Sequence, residues 1–391
     1  MKETMRIYLI LRFLSSFGMS VIGATYVIFL QSHGLDLFQV NLVNIACWLT
    51  MFVAQVPTGL IADVFGRKRS FLISCAILSF NGVIYGLSET LIGFMLCEVV
   101  AALGIAFSNG AFEAWVIDRL SEYGYTGGKE MITSRSQILG SCGTILGVLC
   151  GGFLGDWKLE SPWFVMAITM AVTGFYGAFA MKETRSVNVD QATQHWQNIK
   201  STFCTSLCFL RKSKDLHFVL VVDSLVVFAV QPFNMYWQPF FKQIFPATWL
   251  FGVFNSALSF TVMLGAYMVL RFGRGRNVKK SLLRLVMMTG LSMLACSLIT
   301  SATLVIIPFL LHDFLRGWYY PIRSAYIQDQ LPDAERATIA SMIAMLIALS
   351  GTLGLFFSGL VAEHFGIQVS WFVSGLCFIF VALYSVRKIK N

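Results

Sequence analysis

The chain has 391 residues, of which 57% are hydrophobic and only 13% charged, and its formal net charge is +9. A soluble globule carries roughly 25% charged residues, so the composition excludes a water-soluble domain and assigns most of the chain to lipid. The positive charge is not the footprint of a nucleic-acid partner, because it falls on one side of the predicted membrane spans.

A span needs about 20 mostly apolar residues. Twelve such runs are predicted, near 7–31, 38–62, 70–88, 91–117, 134–155, 162–181, 217–241, 248–270, 281–300, 303–325, 338–361 and 367–386. Helix is the expected form, since unpaired backbone groups are too costly in hydrocarbon for any other open-chain solution. Alternating sides along these runs puts Arg67, Lys68, Arg69, Arg119, Lys129, the bases from Lys182 to Lys214, those from Arg271 to Arg284, Arg336 and both termini together. The opposite side holds only Lys158 and Lys242. By the positive-inside bias both termini are cytoplasmic, in a multi-pass protein of the cytoplasmic (inner) membrane.

The first run follows Lys2 and Arg6, as a signal peptide would, but it is longer than an apolar signal core and is kept as span one. Arg12 inside it is expected to snorkel to the inner surface. After span two comes Gly59-Leu60-Ile61-Ala62-Asp63-Val64-Phe65-Gly66-Arg67-Lys68-Arg69. Gly59 permits close helix approach and Gly66 a tight turn, while Arg67 can bridge Asp63 and Asp118 at the inner end of span four. Such a charge cluster is either a latch that closes the cytoplasmic side in one state or a static surface ion pair.

This element echoes along the chain: Gly59 to Asp63 reads G-L-I-A-D, Gly152 to Asp156 reads G-F-L-G-D and Gly359 to Glu363 reads G-L-V-A-E. A worn copy ends at Gly273-Arg274, with Ala266 in the first position. The intervals 59 to 152 and 266 to 359 are both 93 residues, against 114 from 152 to 266. Four copies of a three-span unit, with extra residues in the middle, are implied. The expected organisation is a six-helix bundle over 1–185, a cytoplasmic linker over 186–215 and a second six-helix bundle over 216–391. In the linker Trp196, Ile199, Phe203, Leu207 and Leu210 recur at helical spacing among bases, as in a helix lying on the inner membrane surface. A second alignment agrees: Glu113 to Leu120 matches Ser324 to Leu331 at an offset of 211, and Gly143-Thr144 matches Gly351-Thr352 at 208.

Charged residues inside spans are functional candidates by default. In a continuous span-four helix at about 100° per residue, Glu98, Asn109 and Glu113 fall near one face, with Ile105 a bulky apolar exception. The offset of 211 puts Tyr320 and Ser324 of span ten at the Asn109 and Glu113 positions, with Asp313 and Arg316 a few residues earlier. The two sets are expected to line a cavity, though a packing face with isolated polar residues gives the same pattern. Asp313 and Arg316 are i,i+3 neighbours that either neutralise each other or compete for a substrate or proton. Glu98, Asp223 and Asp313 are the proton-coupling candidates. Gln231-Pro232-Phe233-Asn234-Met235-Tyr236-Trp237-Gln238-Pro239 in span seven combines helix interruption, aromatic faces and amides. Gln231, Asn234, Tyr236 and Trp237 there suit either an organic-solute pocket or an interfacial aromatic belt.

On these residues the chain resembles the major facilitator superfamily over essentially its whole length. Gly59, Asp63, Gly66, Arg67, Lys68 and Arg69 fit the family's loop signature between spans two and three, with Val64 where a base is common. Ser108 to Asp118 and Arg336 to Ser341 resemble a bacterial drug-efflux-like branch. Two departures separate the chain from the proton-coupled exporters of that branch: Leu91 to Ile117 contains no Lys or Arg, and Gly147 to Gly152 lacks their proline. The resemblance implies an all-α membrane protein of twelve helices in two pseudo-symmetric halves, a monomer working by alternating access.

All nine cysteines fall in spans or in the central loop, and Cys204 and Cys208 have no second Cys/His pair, so no metal is expected. With no phosphate loop and no nucleophile-base constellation, no enzyme activity and no cofactor are expected, and an ion gradient, most simply H+, supplies the energy. The function expected is proton-linked export of a small amphipathic organic compound. The alternatives are uptake of a small metabolite, export of a siderophore-like polycarboxylate, and, in another class, a non-transporting receptor or scaffold, which would have lost the signature loop.

Overall fold

The computed structural model describes residues 2–109, 111–124, 129–183, 213–272, 277–330 and 336–390. The side chains of 55–56, 59–60, 62–65, 129–131, 133, 214–215, 270, 336–341 and 386–390 fall outside that description. The expected linker helix around Trp196 to Leu210, together with Cys204 and Cys208, also lies outside it.

Among the described residues all regular structure is helical. Helix α1 (Lys2–Val21) passes through a 3-10 turn (Ile22–Ala24) into α2 (Tyr26–Ser32). There follow α3 (Leu37–Phe65), α4 (Arg67–Gly86), α5 (Leu91–Ser108), α6 (Ala111–Glu122), α7 (Lys129–Trp157) and α8 (Ser161–Ala180). Beyond the linker come α9 (Lys214–Phe241), α10 (Thr248–Phe272), α11 (Val278–Leu298), α12 (Ala302–Gln330), α13 (Arg336–Phe365) and α14 (Ile367–Lys390). Side-chain caps start several of them: Thr90 accepts from Gly93 N, Ser213 from Leu216 N and Asn277 from Lys280 N.

Among the described residues eleven stretches are long and apolar enough to cross a membrane. One of them, Leu91–Glu122, runs through α5 and α6. The twelfth expected span is α12, whose 29 residues are long enough but whose Asp313, Arg316 and Arg323 depress its hydropathy. Span four also departs from expectation. It is not one helix, because α5 ends at Ser108 and Asn109 adopts extended backbone (φ −61, ψ 121) before α6 begins at Ala111. The break resets the helical phase, so a wheel drawn through Glu98, Asn109 and Glu113 does not describe their true directions.

The chain divides into two compact units. The first comprises Met1–His33, Ala46–Asn198 and Ala247–Ser256, and the second Gly34–Ile45, Ile199–Pro246 and Ala257–Asn391. In the first unit α1 packs on α7 and α8, and α4 on α5 and α8; in the second α9 packs on α13 and α14, and α11 on α12 and α14. The same neighbour pattern therefore occurs twice, as an internal duplication requires.

A close helix approach in the first unit is made by glycines. Gly143, Gly147 and Gly151 of α7 face the carbonyl oxygens of Phe13, Phe17 and Val21 of α1, where an added Cβ would lie 2.6, 2.5 and 1.6 Å away. Both series advance by four residues, one ridge against another, and small residues let backbones meet where no hydrophobic force separates helix from lipid. In the second unit Gly354 of α13 meets Phe228 O of α9 in the same way, at 2.2 Å. Within the first unit, Tyr8, Leu11, Phe71, Phe112 and Trp115 form an apolar core, with Phe71 and Phe112 stacked at 4.4 Å between ring centroids.

Candidate functional site

The chain turns from α3 into α4 at Gly66, whose φ of +99 favours glycine. A side chain there would also meet Glu183, 2.7 Å from the built Cβ. Glu183 accepts instead from the N–H of Lys68 at 3.1 Å, and Lys68 Nζ donates to Ala178 O at 2.8 Å. Arg67 Nη1 forms an ion pair with Asp118 Oδ2, joining α4 to α6. Arg69 is exposed. Gly59 and Asp63 lie in the last turns of α3, but their side chains are outside the described residues. Glu183 carried no sequence signal beyond standing at the start of the polar stretch after span six.

Glu98 lies in a different environment from Asn109 and Glu113. Its side chain is buried, and Oε1 accepts from Tyr26 Oη at 2.8 Å and from Tyr85 Oη at 3.0 Å. Tyr85 is held flat on Trp163, with ring centroids 3.6 Å apart and 5° between planes. Among the described residues no basic side chain forms an ion pair with Glu98. The tyrosines come from spans one and three, and a pattern within span four could not have named them.

Asn109 and Glu113 line a cavity of about 150 Å³ that also receives Tyr8 and Arg12 from α1 and Ser136 and Gln137 from α7. Tyr8 Oη and Ser136 Oγ are hydrogen-bonded at 3.0 Å. Arg12 lines this cavity. It lies against Gly140, where a built Cβ would fall 3.0 Å from Nε, and Nε is buried without a hydrogen-bond partner among the described residues.

In the second unit Arg316 gathers the polar groups of α9 and α12. Its Nη1 donates to Asn234 Oδ1 at 2.7 Å and its Nη2 lies 3.2 Å from Asp313 Oδ1. Asn234 in turn donates to Gln231 Oε1 at 3.4 Å. His312 Nδ1 is 3.3 Å from Asp313 Oδ1, and its ring stacks on Phe233 at 4.6 Å. Tyr320 shares a small pocket with Arg316 and His312. Tyr236 points elsewhere: fully buried, it accepts from Asn41 Nδ2 at 2.7 Å beside Ser358. Trp237 is buried too. About two turns beyond Arg316 along α12, Arg323 forms an ion pair with the buried Asp223, which also accepts from Tyr319 Oη at 3.4 Å. Arg323 was absent from the sequence candidates, although its place seven residues after Arg316, on nearly the same helix face, could have pointed to it.

The geometry is thus a set of helix-borne charges in apolar surroundings, with no metal-binding cluster of His, Cys, Asp or Glu among the described residues. The sequence profile of the Major Facilitator Superfamily matches residues 8–278. The chain belongs to this superfamily. It is a multi-pass membrane transporter of the alternating-access type, its cargo is a small molecule, and it is not an enzyme. Relatives from Bacillus subtilis (strain 168) include the uncharacterized MFS-type transporter YxaM, 21% identical over 97% of this chain and 94% of that protein. Another is Multidrug resistance protein 2, 21% identical over 81% of this chain and 78% of that protein. Among solved structures the nucleoside transporter NupG superposes with a TM-score of 0.82 at 16% identity, covering 99% of both chains. A D-xylose-proton symporter reaches 0.73 at 14% identity, covering 98% of this chain and 96% of that one. Likeness at these identities concerns the fold of a superfamily member.

Proposed function

We propose that this superfamily member is a proton-coupled exporter of a small organic compound, acting as a monomer in the cytoplasmic membrane with both termini inside. The observation that carries the coupling is Glu98: a carboxyl group buried among aromatic residues and held by two tyrosine hydroxyls, without a basic partner among the described residues. Charges at lipid depth are costly and mark ion pathways. A group held only by neutral donors changes its protonation without breaking a salt bridge. Asp223 and Asp313 are weaker coupling candidates, because each already meets an arginine. Export is favoured by the similarity to a relative named for multidrug resistance.

The test is transport into everted vesicles or proteoliposomes under an imposed pH gradient, using a solute that the wild-type protein concentrates. Glu98→Gln is expected to abolish gradient-driven accumulation while leaving solute exchange across the membrane. Full gradient-driven transport by Glu98→Gln would transfer the role to Asp223. A second reading, uptake of a small metabolite, is favoured by the polar cavity around Asn109 and Glu113, which suits a hydrophilic solute better than an amphipathic drug. Accumulation in right-side-out vesicles on outside acidification, with none in everted vesicles, would establish that reading instead.

A further inference from the structure

We propose that Arg12 is the anion-binding group of a solute site within the first unit, and that the solute is a small organic acid with one carboxylate beside amino or hydroxyl groups. The inference rests on the chain being a small-molecule transporter, not on coupling through Glu98. Arg67, Arg119, Arg316 and Arg323 each meet a carboxylate of the protein. Arg12 meets no carboxylate at ion-pair distance among the described residues, and its Nε is buried without an acceptor, as Arg323 Nε also is. A guanidinium always carries its charge, and a buried charged donor without an acceptor is costly. A carboxylate supplies the acceptor in the bidentate geometry that arginine prefers.

The surroundings specify the rest of the solute. Gly140 leaves the space in which the guanidinium lies, since any larger residue would place a Cβ 3.0 Å from Nε. Asn109, Gln137, Ser136 and Tyr8 give the cavity hydrogen-bonding groups of both kinds. Glu113 lines the same cavity and repels a second negative group, so a monocarboxylate or a zwitterion fits better than a polycarboxylate. The volume of about 150 Å³ lies below the roughly 300–1,000 Å³ of drug-sized pockets.

The experiment uses the full-length protein in detergent and follows its melting temperature against lactate, alanine and citrate, with lactamide and alaninamide as uncharged-carboxyl counterparts. Lactate or alanine is expected to raise the melting temperature in a saturable way, with the amides and citrate weaker. Arg12→Gln should weaken the apparent affinity by about thirtyfold or more, the scale for removing one partner of a buried charged contact. Arg12→Lys, which keeps the charge, and Gly140→Ala, which displaces the guanidinium by one methyl group, should give intermediate losses. Arg119→Gln, at the exposed end of α6, should retain the shift. No shift with either acid, or a shift that survives both Arg12→Gln and Gly140→Ala, overturns the proposal. If Arg12→Gln does not fold, Gly140→Ala and Arg12→Lys decide it alone. Repeating the titration with Glu98→Gln separates the two readings: failed coupling leaves the acid-dependent shift in place, whereas a failed anion site leaves the pH-driven phenotype in place.

Discussion

Asp223 of α9 and Arg323 of α12 form an ion pair in which the carboxylate is almost wholly buried, with 1% of its side-chain surface exposed. Tyr319, one turn before Arg323, donates to the same carboxylate. Two helices distant in sequence are thereby tied by a contact that water cannot replace.

Breaking such a pair from one side costs about 3–5 kcal/mol, because the remaining charge stays buried. Arg323→Leu is therefore expected to lower the thermal stability of the detergent-purified protein sharply. Asp223→Asn combined with Arg323→Leu should recover most of the loss. Equal melting temperatures for the single and double variants would show that Asp223 is solvated once Arg323 is gone.

The glycine ridge of α7 gives a second expectation. A methyl group at Gly151 would lie 1.6 Å from Val21 O, a backbone atom that cannot rotate aside, whereas at Gly174 it would meet only Cys75 Cβ at 3.0 Å. Gly151→Ala should give little monodisperse protein on size-exclusion chromatography, and Gly174→Ala should cost about 1–3 kcal/mol, the ordinary scale of overpacking. Normal yield and melting temperature for Gly151→Ala would mean that α1 and α7 are not apposed through these glycines.

That ridge had a sequence signal that served only for alignment: Gly143, Gly147 and Gly151 stand four apart, as close approach in lipid demands. The helical class was legible because apolar length and charge asymmetry are properties of single segments. Contacts between segments were not. Glu98 could be recognised as an acid at lipid depth, but its partners Tyr26 and Tyr85 lie 72 and 13 residues away. The helical wheel also failed where Asn109 leaves helical backbone, since periodicity presumes an unbroken helix. Arg323 carried no sequence assignment at all, because its partner Asp223 lies 100 residues away on another helix.

The Arg67–Asp118 pair leads to a different kind of prediction. Both side chains retain solvent access, 24% and 40%, and exposed pairs contribute roughly 0–1 kcal/mol. Asp118→Asn should therefore leave the melting temperature nearly unchanged. If the pair is part of a cytoplasmic latch, transport should fall, and cysteines placed on the inner side should become more reactive as the population shifts. Exchanging the residues, Arg67→Asp with Asp118→Arg, should restore part of the transport. Unchanged transport and unchanged cysteine reactivity in Asp118→Asn would reduce the pair to a structural contact.

The hydroxyls around Glu98 can be tested without disturbing the packing. Tyr85→Phe keeps the ring that stacks on Trp163 at 3.6 Å and removes only the donor to Oε1; Tyr26→Phe removes the other. A hydrogen bond to a charged group contributes about 1.5–3 kcal/mol and one to a neutral group about 0.5–1.5 kcal/mol. Either variant should lower stability within that span and reduce gradient-driven accumulation. The effects should not add to that of Glu98→Gln, because all three residues act through one carboxyl group, and contacting residues show interaction energies of about 0.5–3 kcal/mol in a double-mutant cycle. Melting temperatures and transport of Glu98→Gln, Tyr85→Phe and the double variant provide that cycle. Strict additivity in both measurements would mean that Tyr85 supports the fold through its stack on Trp163 and contributes nothing through Glu98.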